Sequence, residues 1–543
     1  MSADKQQRTL ERTLYKGPAS NDAGSCACVE ATASLACLPM IESLGLLVSE
    51  NAADRIAYAR DLWPRHHLGV RAGRKLGEPR AIVWPRSTEE VVRLVRWAKD
   101  RAVPLVPFGA GSGVCAGVSP TSDAIVVDMK RMARWRRLDT AAPSLDVEAG
   151  HMGVPLEERL NREGLTLGHF PSSILCSTVG GWVAARSAGQ ASGYYGKIED
   201  MVTALECVTG NGDVVTLHHR TTGPSLVPLI VGSEGTLAIV TSTTLRLHPL
   251  PKTRAFAAWS FPSTEAGWEA MREMFQRGLR PAIARLYDPF DAMLAKQGSV
   301  KKKGIIPHAP GRGSTVLRTL LRKPRALNAL LESRPFAALV GGAMLVVIFE
   351  GATAEADLRA AAEIANAMHG HDEGEGPARR WLLHRYSVSY RQSPAVASGL
   401  FVDTMEVAAP WSRLGALYEG VRRAVGPHVF IMAHFSHAYA DGCCIYFSFA
   451  GSANDGGPWD EACERTYDRT WKSALDAVVA AGGTIAHHHG VGRSKAPRMD
   501  KELGSDGVRA VHALKRALDP AGILNPGVLV PPVSPFPYPE PWS

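Results

Sequence analysis

The sequence is poor in the features that mark several classes of protein. Only 7% of its 543 residues are aromatic, and no run interleaves them with basic residues, so we expect no nucleic-acid partner. The 9 cysteines are odd in number and irregularly spaced, without a CxxC pair, which indicates reduced thiols in the cytoplasm rather than a disulfide framework. Residues 2–16 lack the apolar stretch of a signal peptide. No uncharged apolar segment is long enough to span a bilayer, and Phe336–Phe349 is predicted to be a buried strand.

The composition is that of a soluble globular protein with a basic bias. Hydrophobic residues make up 45% of the chain and charged residues 21%, with a formal net charge of +8 and a pI of about 9.0. This balance favours anionic partners such as acidic lipid or a phosphorylated substrate. The length exceeds what one hydrophobic core supports, so two or more domains are expected.

The pattern along the chain predicts an α+β protein. Ala81–Trp84 reads as a strand, and Ser87 or Thr88 caps an amphipathic helix that ends near Asp100. Alternating β and α segments then predict a mixed sheet, followed by short strands up to residue 250. Beyond residue 252 we expect helices near 263–278, 354–369, 411–425 and 460–481, with strands near 342–350 and 443–450.

A basic segment interrupts the second half. Residues 301–334 carry nine lysines and arginines against the single acid Glu332, with leucines interleaved at near-helical spacing. Such a helix can make peripheral contact with an anionic membrane. A solvated helix or loop is the equal alternative. Residues 530–543 are rich in proline and are predicted to form an extended arm.

Three segments of the first half mix glycine with small hydroxyl residues. Gly109–Gly113 is a loop whose backbone N–H groups can converge on a pyrophosphate. The other two segments, 168–201 and 232–240, suit contact with a large planar ligand. The Gly-rich loop is not the usual dinucleotide fingerprint, since it does not open a helix directly from a first strand.

The order PFGAGSG, SSILCSTVGGW, YGKIEDM and GSEGTLAIVT resembles the PCMH-type FAD-binding domain of the vanillyl-alcohol oxidase superfamily. The resemblance implies non-covalent FAD held across two subdomains, with an α+β cap domain that contains an antiparallel sheet. It divides the chain into a polar leader with helices (1–74), an FAD-binding domain (75–252), a substrate or cap domain (253–485), and a C-terminal segment that returns to the FAD-binding domain (486–543). The cofactor contacts that it implies are Pro107, Phe108, Gly109, Ala110, Gly111, Ser112, Gly113, Ser172, Ser173, Ile174, Leu175, Cys176, Ser177, Thr178, Ala185, Arg186, Ser187, Ala188, Glu234, Gly235, Thr236, Leu237, Ala238, Ile239 and Val240.

Histidines concentrate in the second half. His434 and His437 precede Tyr446, and His487, His488 and His489 form a triplet before a glycine turn. The alternatives to acid–base chemistry are a run of histidines on the surface and a metal site with His434 and His437. Acid–base chemistry is the better interpretation, because the imidazole pKa lies near neutral pH.

Two branches of the superfamily are separated by these segments. D-lactate and glycolate dehydrogenases carry a metal-binding HxGDGNxH segment and an EHGxG segment. Here His437 matches the first histidine, the second is missing, and His488 stands where the dehydrogenases have glutamate. We therefore predict no metal. The segments around Gly442–Phe449 and His487–Gly492 instead resemble those of alkyldihydroxyacetonephosphate synthases.

This second resemblance implies roles for particular residues. Tyr446 matches the active-site tyrosine, His487–His489 match the catalytic triplet, and Arg391 matches the arginine that binds the substrate phosphate. Arg285 matches a position close to the flavin and is interpreted as structural. The chain departs from the family pattern at Ala191-Ser192-Gly193, where a lysine pair is expected, and at Tyr194 and Tyr287.

The implied reaction exchanges the acyl chain of acyl-dihydroxyacetone phosphate for a fatty alcohol in ether lipid synthesis, without net redox change. Tyr446 would abstract a proton from the carbon that bears the ester. The alternatives are an FAD-linked oxidase or dehydrogenase of an alcohol or 2-hydroxy acid, and a non-catalytic flavoprotein, against which the intact tyrosine and histidines argue. A homodimer is considered as the assembly, without a motif that supports it.

Overall fold

The computed structural model describes residues 41–220, 222–297, 321–386, 393–453 and 456–531. Strands β1 to β18 are Val48–Ser49, Ala81–Val83, Leu105–Phe108, Ile125–Asp128, Trp135–Asp139, Ser144–Glu148, Leu165–Thr166, Val202–Thr209, Val214–His218, Ala238–Arg246, His248–Pro249, Arg254–Phe261, Ile283–Tyr287, Ala343–Glu350, His371–Asp372, Phe401–Pro410, Phe430–Ala438 and Gly442–Gly451. The α-helices are Ala52–Ala57, Pro64–Arg71, Thr88–Asp100, Gly153–Arg162, Val179–Ala185, Ser192–Tyr195, Ile198–Met201, Val227–Ile230, Thr264–Gln276, Pro289–Gln297, Pro324–Leu331, Arg334–Val340, Ala354–Ala367, Gly376–His384, Ser393–Ala397, Trp411–Val425, Trp459–Ala480 and Met499–Leu518. The predicted α+β class is confirmed.

Residues 44–252, which we call the first domain, contain three sheets, the smallest of which is the antiparallel pair of β7 and β11. A four-stranded sheet has the order β1-β2-β4-β3, in which β1 is antiparallel to β2 and the other pairs are parallel, so the predicted mixed sheet is present. Ser87 caps the helix Thr88–Asp100, because its Oγ accepts the Glu90 N–H at 3.3 Å. A five-stranded antiparallel sheet follows, in the order β5-β6-β10-β8-β9.

The cap sheet, as we call the sheet of β12 to β18, is antiparallel and seven-stranded. Its order is β15-β12-β14-β13-β17-β18-β16. Alternate residues of β12 face opposite sides: Ala257 and Trp259 pack in the core beneath the cap helices, whereas Phe256 and Ala258 pack with Trp182 of the first domain. Both faces of this strand are therefore buried, and the cap sheet lies between its own helices and the first domain.

The C-terminal segment contacts the first domain. The Leu105 N–H donates to the Ile523 carbonyl at 2.8 Å, and the Asn525 N–H donates to the Leu105 carbonyl at 2.8 Å. Leu524 thereby pairs with Leu105 of the edge strand β3 in one parallel bridge. The chain after the cap sheet is in this way tied back to the strand that precedes the Gly-rich loop.

Two expectations need correction or fall outside the described residues. Phe336–Phe349 is not one strand, because residues up to Val340 belong to the helix Arg334–Val340 and only Ala343–Glu350 is extended. Gly341 and Gly342, both at positive φ (83° and 72°), make the turn between them. Arg391, residues 301–320 and most of the proline-rich arm lie outside the described residues.

Candidate active site

A row of polar side chains crosses four neighbouring strands of the cap sheet. Tyr287 of β13 pairs with His434 of β17, His434 with Tyr446 of β18, and Tyr446 with Glu406 of β16. Residues that pair directly across strands point to the same face. The residues on either side of Tyr446 in its strand belong to the opposite, apolar face. The row therefore faces the first domain.

A β-bulge adds His437 to this row. In a regular strand, residues three apart point to opposite faces. The register shifts between Ser436 and Ala438, and His437 takes a left-handed conformation with φ of 53°, so one extra residue is inserted. His434 and His437 consequently both reach Tyr446. The His434 ring stacks on the Tyr446 ring with 4.7 Å between centroids, and His437 Nε2 lies 3.0 Å from Tyr446 Oη.

The histidine triplet closes over the same phenol. Tyr446 Oη is hydrogen-bonded to His488 Nε2, so it lies between two imidazoles. His487 Nδ1 is 2.9 Å from His488 Nδ1, and the His489 ring lies 5.8 Å from the Tyr446 ring. The structure thus brings together all four residues that the sequence proposed as catalytic.

Two buried carboxylates hold the turn that carries the triplet. Glu406 of the cap sheet accepts the backbone N–H groups of all three histidines, at 2.7, 3.2 and 2.7 Å. Glu234 of the first domain accepts those of Val491 and Gly492 at 2.7 and 2.9 Å. The turn is therefore fixed from both domains.

Lys495 supplies the compensating charge for this arrangement. It is fully buried, and its Nζ lies 3.5 Å from Glu406 Oε1. Burial alone would raise the pKa of Glu406, but the Lys495 ammonium and the N–H donors bring that pKa below its usual range. Glu406 is therefore an anion at neutral pH. Burial raises the pKa of Glu234 to about 7, despite the two N–H groups that it accepts.

Burial also sets the protonation states around Tyr446. It lowers the pKa of His437 and His488 well below the usual histidine value and lowers that of His487 to about 4. The same desolvation raises the pKa of Tyr446 well above its usual value. At neutral pH the imidazoles are neutral and the phenol keeps its proton. A neutral imidazole has one ring nitrogen that can accept a hydrogen bond from the phenol.

His434 is held in one tautomer by two charged neighbours. Arg285 Nη2 donates to His434 Nε2 at 2.7 Å, and the remaining ring N–H at Nδ1 donates to Asp291 Oδ2 at 3.1 Å. The position that the sequence interpreted as structural, Arg285, thus orients a ring that stacks on Tyr446. Burial raises the pKa of Asp291 to about 6.

A metal ion does not suit these residues. Four residues each offer one atom that could bind a metal, and these atoms lie within 4.8 Å of one another: Glu406, Cys444, His487 and His488. Both oxygens of Glu406, however, already accept N–H groups, and the Lys495 ammonium beside them repels a cation. His434, the alternative ligand from the sequence, has both ring nitrogens engaged by Arg285 and Asp291.

The Gly-rich loop fits a pyrophosphate. Within the described part of the chain, none of the five backbone N–H groups of Gly109–Gly113 donates a hydrogen bond. Gly111 has φ of 66°, and a Cβ there would lie 2.7 Å from the Phe108 ring, so the compact turn requires glycine. Adjacent free N–H groups in such a turn bind anions. These residues would hold the pyrophosphate of FAD.

The other predicted cofactor residues lie in three further segments. Ser172–Thr178 contains a 3-10 turn at Ile174–Cys176 and ends at Thr178, which caps the helix Val179–Ala185. Arg186 ends that helix in a left-handed conformation with φ of 53°, and Ser187 Oγ lies 2.8 Å from His169 Nε2. Glu234, placed by the sequence among the cofactor contacts, directs its carboxylate to the triplet turn. Leu237–Val240 is buried at the start of the central strand β10.

Comparison with known proteins places the chain among the FAD-linked oxidases. The model of FAD linked oxidases, C-terminal domain, matches residues 250–529, and that of the FAD binding domain matches residues 79–218. The chain is 30% identical over 524 residues to an alkyldihydroxyacetonephosphate synthase of Trypanosoma brucei brucei, covering 91% of this chain and 81% of that protein. It belongs to the alkyldihydroxyacetonephosphate synthase family of FAD-linked oxidases.

Further relatives include a solved synthase structure and an oxidase subunit. A solved alkyldihydroxyacetonephosphate synthase structure has a TM-score of 0.68 at 26% identity and covers 88% of this chain and 82% of its own. The glycolate oxidase subunit GlcD of Bacillus subtilis is 26% identical over 488 residues, covering 88% of this chain and 93% of that protein. The chain is an FAD-dependent enzyme, as the sequence predicted.

Several site residues were not proposed as functional from the sequence. Glu406 accepts backbone N–H groups of the triplet, and Lys495 places a positive charge beside Glu406. Neither interaction depends on a local sequence motif. Ser192 was noted only as a departure from the family pattern, yet its Oγ lies 2.8 Å from His437 Nδ1. The two histidines in His434-Phe435-Ser436-His437 were a visible signal, but their spacing places them on one face only because of the bulge.

Proposed function

We propose that this enzyme exchanges the acyl chain of acyl-dihydroxyacetone phosphate for a fatty alcohol and so forms an ether lipid precursor. The observation that carries the proposal is the Tyr446 phenol held between the neutral imidazoles of His437 and His488. A phenol in this setting can be deprotonated by a neighbour and act as a base on carbon. The names of the most similar relatives agree with this substrate class.

The chain's own residues supply the proton transfers. His488 takes the Tyr446 proton, and the negative charge of Glu406, 3.6 Å from His488 Nδ1, favours the cation that results. The Tyr446 oxygen then takes the proton from the carbon that bears the ester. FAD, when bound, would supply a flavin nitrogen as the nucleophile, and the acyl chain would leave as the fatty acid. Arg391, outside the described residues, remains our proposed cation for the substrate phosphate.

The alternative function is an FAD-linked oxidase or dehydrogenase of an alcohol or 2-hydroxy acid. It is favoured by the similarity to the glycolate oxidase subunit. A base beside a flavin also serves oxidation, because substrate deprotonation accompanies hydride or electron transfer. The two functions differ in whether the flavin is left reduced after one turnover.

We also propose a cytoplasmic enzyme that makes peripheral contact with an anionic membrane. Within the described residues, no helix is long and apolar enough to cross a bilayer. The helices Pro324–Leu331 and Arg334–Val340 expose Leu330 by 61% and Leu339 by 83%, next to the basic residues Lys323 and Arg325. Exposed leucines beside basic residues suit a lipid surface. A homodimer remains a proposal without a supporting contact.

A labelled fatty alcohol tests the proposed reaction. Purified holoenzyme given acyl-dihydroxyacetone phosphate and labelled long-chain alcohol should incorporate label into an ether product. Tyr446→Phe, which removes one hydroxyl and keeps the ring packing, should retain FAD and lower the rate by about 10²–10⁴-fold. Absence of ether product with fully flavinated parent enzyme would overturn the proposal.

A further inference from the structure

A line of hydrogen-bonding groups leads to Tyr446 alongside the triplet, since the His437 ring lies 4.6 Å from the His488 ring between centroids. Tyr439 Oη lies 3.1 Å from Ser192 Oγ, and Ser192 Oγ lies 2.8 Å from His437 Nδ1. His437 Nε2 lies 3.0 Å from Tyr446 Oη. Both ring nitrogens of His437 are therefore engaged by hydroxyl groups, each of which can either donate or accept.

Glu406 decides the direction of these bonds. Its carboxylate lies 3.6 Å from His488 Nδ1, and a carboxylate repels a ring nitrogen that carries only a lone pair. His488 Nδ1 therefore carries the hydrogen, for which His487 Nδ1 at 2.9 Å is an acceptor. His488 Nε2 is then free to accept the Tyr446 hydroxyl.

The hydrogen at His437 follows from this direction. Because the Tyr446 hydrogen is donated to His488, its oxygen can only accept from His437, so His437 carries its hydrogen at Nε2. His437 Nδ1 is then unprotonated and accepts the Ser192 hydroxyl, which in turn accepts from Tyr439. Every group in the line is satisfied by this single arrangement.

We propose that His437 is a catalytic residue that stabilises the Tyr446 phenolate through its Nε2–H, and that Ser192 is a positioning residue that holds the His437 ring by donating to its Nδ1. This inference rests on the proposed function, in which Tyr446 is the base. One proton moves from Tyr446 Oη to His488 Nε2, and one moves from the substrate carbon to Tyr446 Oη. His437 keeps its hydrogen throughout and faces the phenolate oxygen while the charge is present.

The backbone at His437 supports a dedicated role. The residue occupies a bulge at φ of 53°, a conformation that is strained for a side chain of this size. A bulge beside an active site re-aims one side chain, and this one aims His437 at the phenol. Packing alone would be met by a regular strand, as it is along β18.

Paired substitutions test the role of the hydrogen that His437 donates. His437→Phe keeps a ring but removes the donor, and kcat should fall by about 10²–10³-fold with little change in KM. His437→Gln keeps an N–H and should recover most of that loss. Ser192→Ala should lower kcat by about 10-fold in the parent, yet add nothing to His437→Gln if Ser192 acts only through His437. Ser448→Ala is the matched control, since its hydroxyl contacts Thr404 at 3.3 Å and not the line.

A measurement without turnover separates this inference from the proposed function. The ¹⁵N NMR spectrum of holoenzyme labelled in histidine should contain, at neutral pH, a ring signal with a protonated Nε2 and a bare Nδ1. That signal should be absent from the spectrum of His437→Gln. Ser192→Ala should leave Nε2 protonated but shift the Nδ1 resonance, because Nδ1 loses its hydrogen-bond donor. A protonated Nδ1 in the parent, or full kcat in folded His437→Phe, would overturn the role of His437. The measured tautomer of His437 tests this inference even if the enzyme forms no ether product, because the spectrum is recorded without turnover.

Discussion

At the scale of single residues, burial decides which groups around Tyr446 can move a proton. His488 is desolvated, which lowers its pKa well below the usual value of about 6.5. A protonated His488 cannot accept the phenol proton, so activity is lost as pH falls through this lowered pKa. We therefore predict that protonation of His488 lowers kcat only at a pH distinctly below 6.5.

The pH profile of kcat with saturating substrate checks this expectation. The FAD absorbance, followed at the same pH values, serves as the control for loss of cofactor. A decline centred at the usual histidine pKa that persists in Glu234→Gln, with FAD retained, would show that His488 is solvated and that its environment is not the one described.

At the scale of elements, the triplet turn depends on one close approach of backbone to backbone. Gly492 has φ of 57°, and a Cβ there would overlap the carbonyl oxygen of Cys115 in the first domain. Gly492→Ala should therefore lower the free energy of unfolding by about 2–4 kcal/mol and weaken FAD retention. Gly482→Ala is the matched control, because its φ is 72° but no atom lies within 4 Å of the added Cβ.

The control isolates backbone strain, which is about 1–2 kcal/mol for a left-handed residue. Chemical denaturation of both variants, with FAD fluorescence as a second signal, measures the difference. Equal losses in the two variants would mean that the turn yields to the added methyl group and is not fixed by its contact with Cys115.

The elements of the chain also show what the sequence could predict. Helices with clear caps and periodicity, such as Thr88–Asp100, were placed within a residue or two. Five cap strands were not proposed: Arg254–Phe261, Ile283–Tyr287, His371–Asp372, Phe401–Pro410 and Phe430–Ala438. A strand buried on both faces, as β12 is, has no alternation of polar and apolar residues to reveal it.

The residues proposed as catalytic could be found from motifs, but the residues that support them could not. Tyr446 and the triplet stand in recognisable segments, and the structure brings them together. Glu406 acts on backbone N–H groups that are 81 to 83 residues away in sequence, which leaves no local pattern. The φ of His437 depends on the register of β17 against β18, a tertiary property.

At the scale of the whole molecule, the exposed leucines predict a membrane-facing surface. Replacing both Leu330 and Leu339 by serine should reduce co-sedimentation with anionic vesicles, because exposed apolar area that enters lipid is removed. Leu383→Ser is the control, since Leu383 is 78% exposed on a different helix, Gly376–His384. High salt should weaken the binding of the parent, because charges are screened over about 10 Å at 0.1 M. Equal pelleting of all variants would favour a solvated helix.

The central claim is that the enzyme is a synthase whose flavin is not left reduced, and anaerobic turnover tests it most directly. Without oxygen or dye, the holoenzyme should convert acyl-dihydroxyacetone phosphate and long-chain alcohol over many turnovers, releasing fatty acid in step with ether product. The basis is the Tyr446 phenol between His437 and His488, which performs proton transfer without an electron acceptor. Lasting bleaching of the flavin by an alcohol or 2-hydroxy acid, reversed by oxygen and without ether product, would contradict the account and identify an oxidase or dehydrogenase.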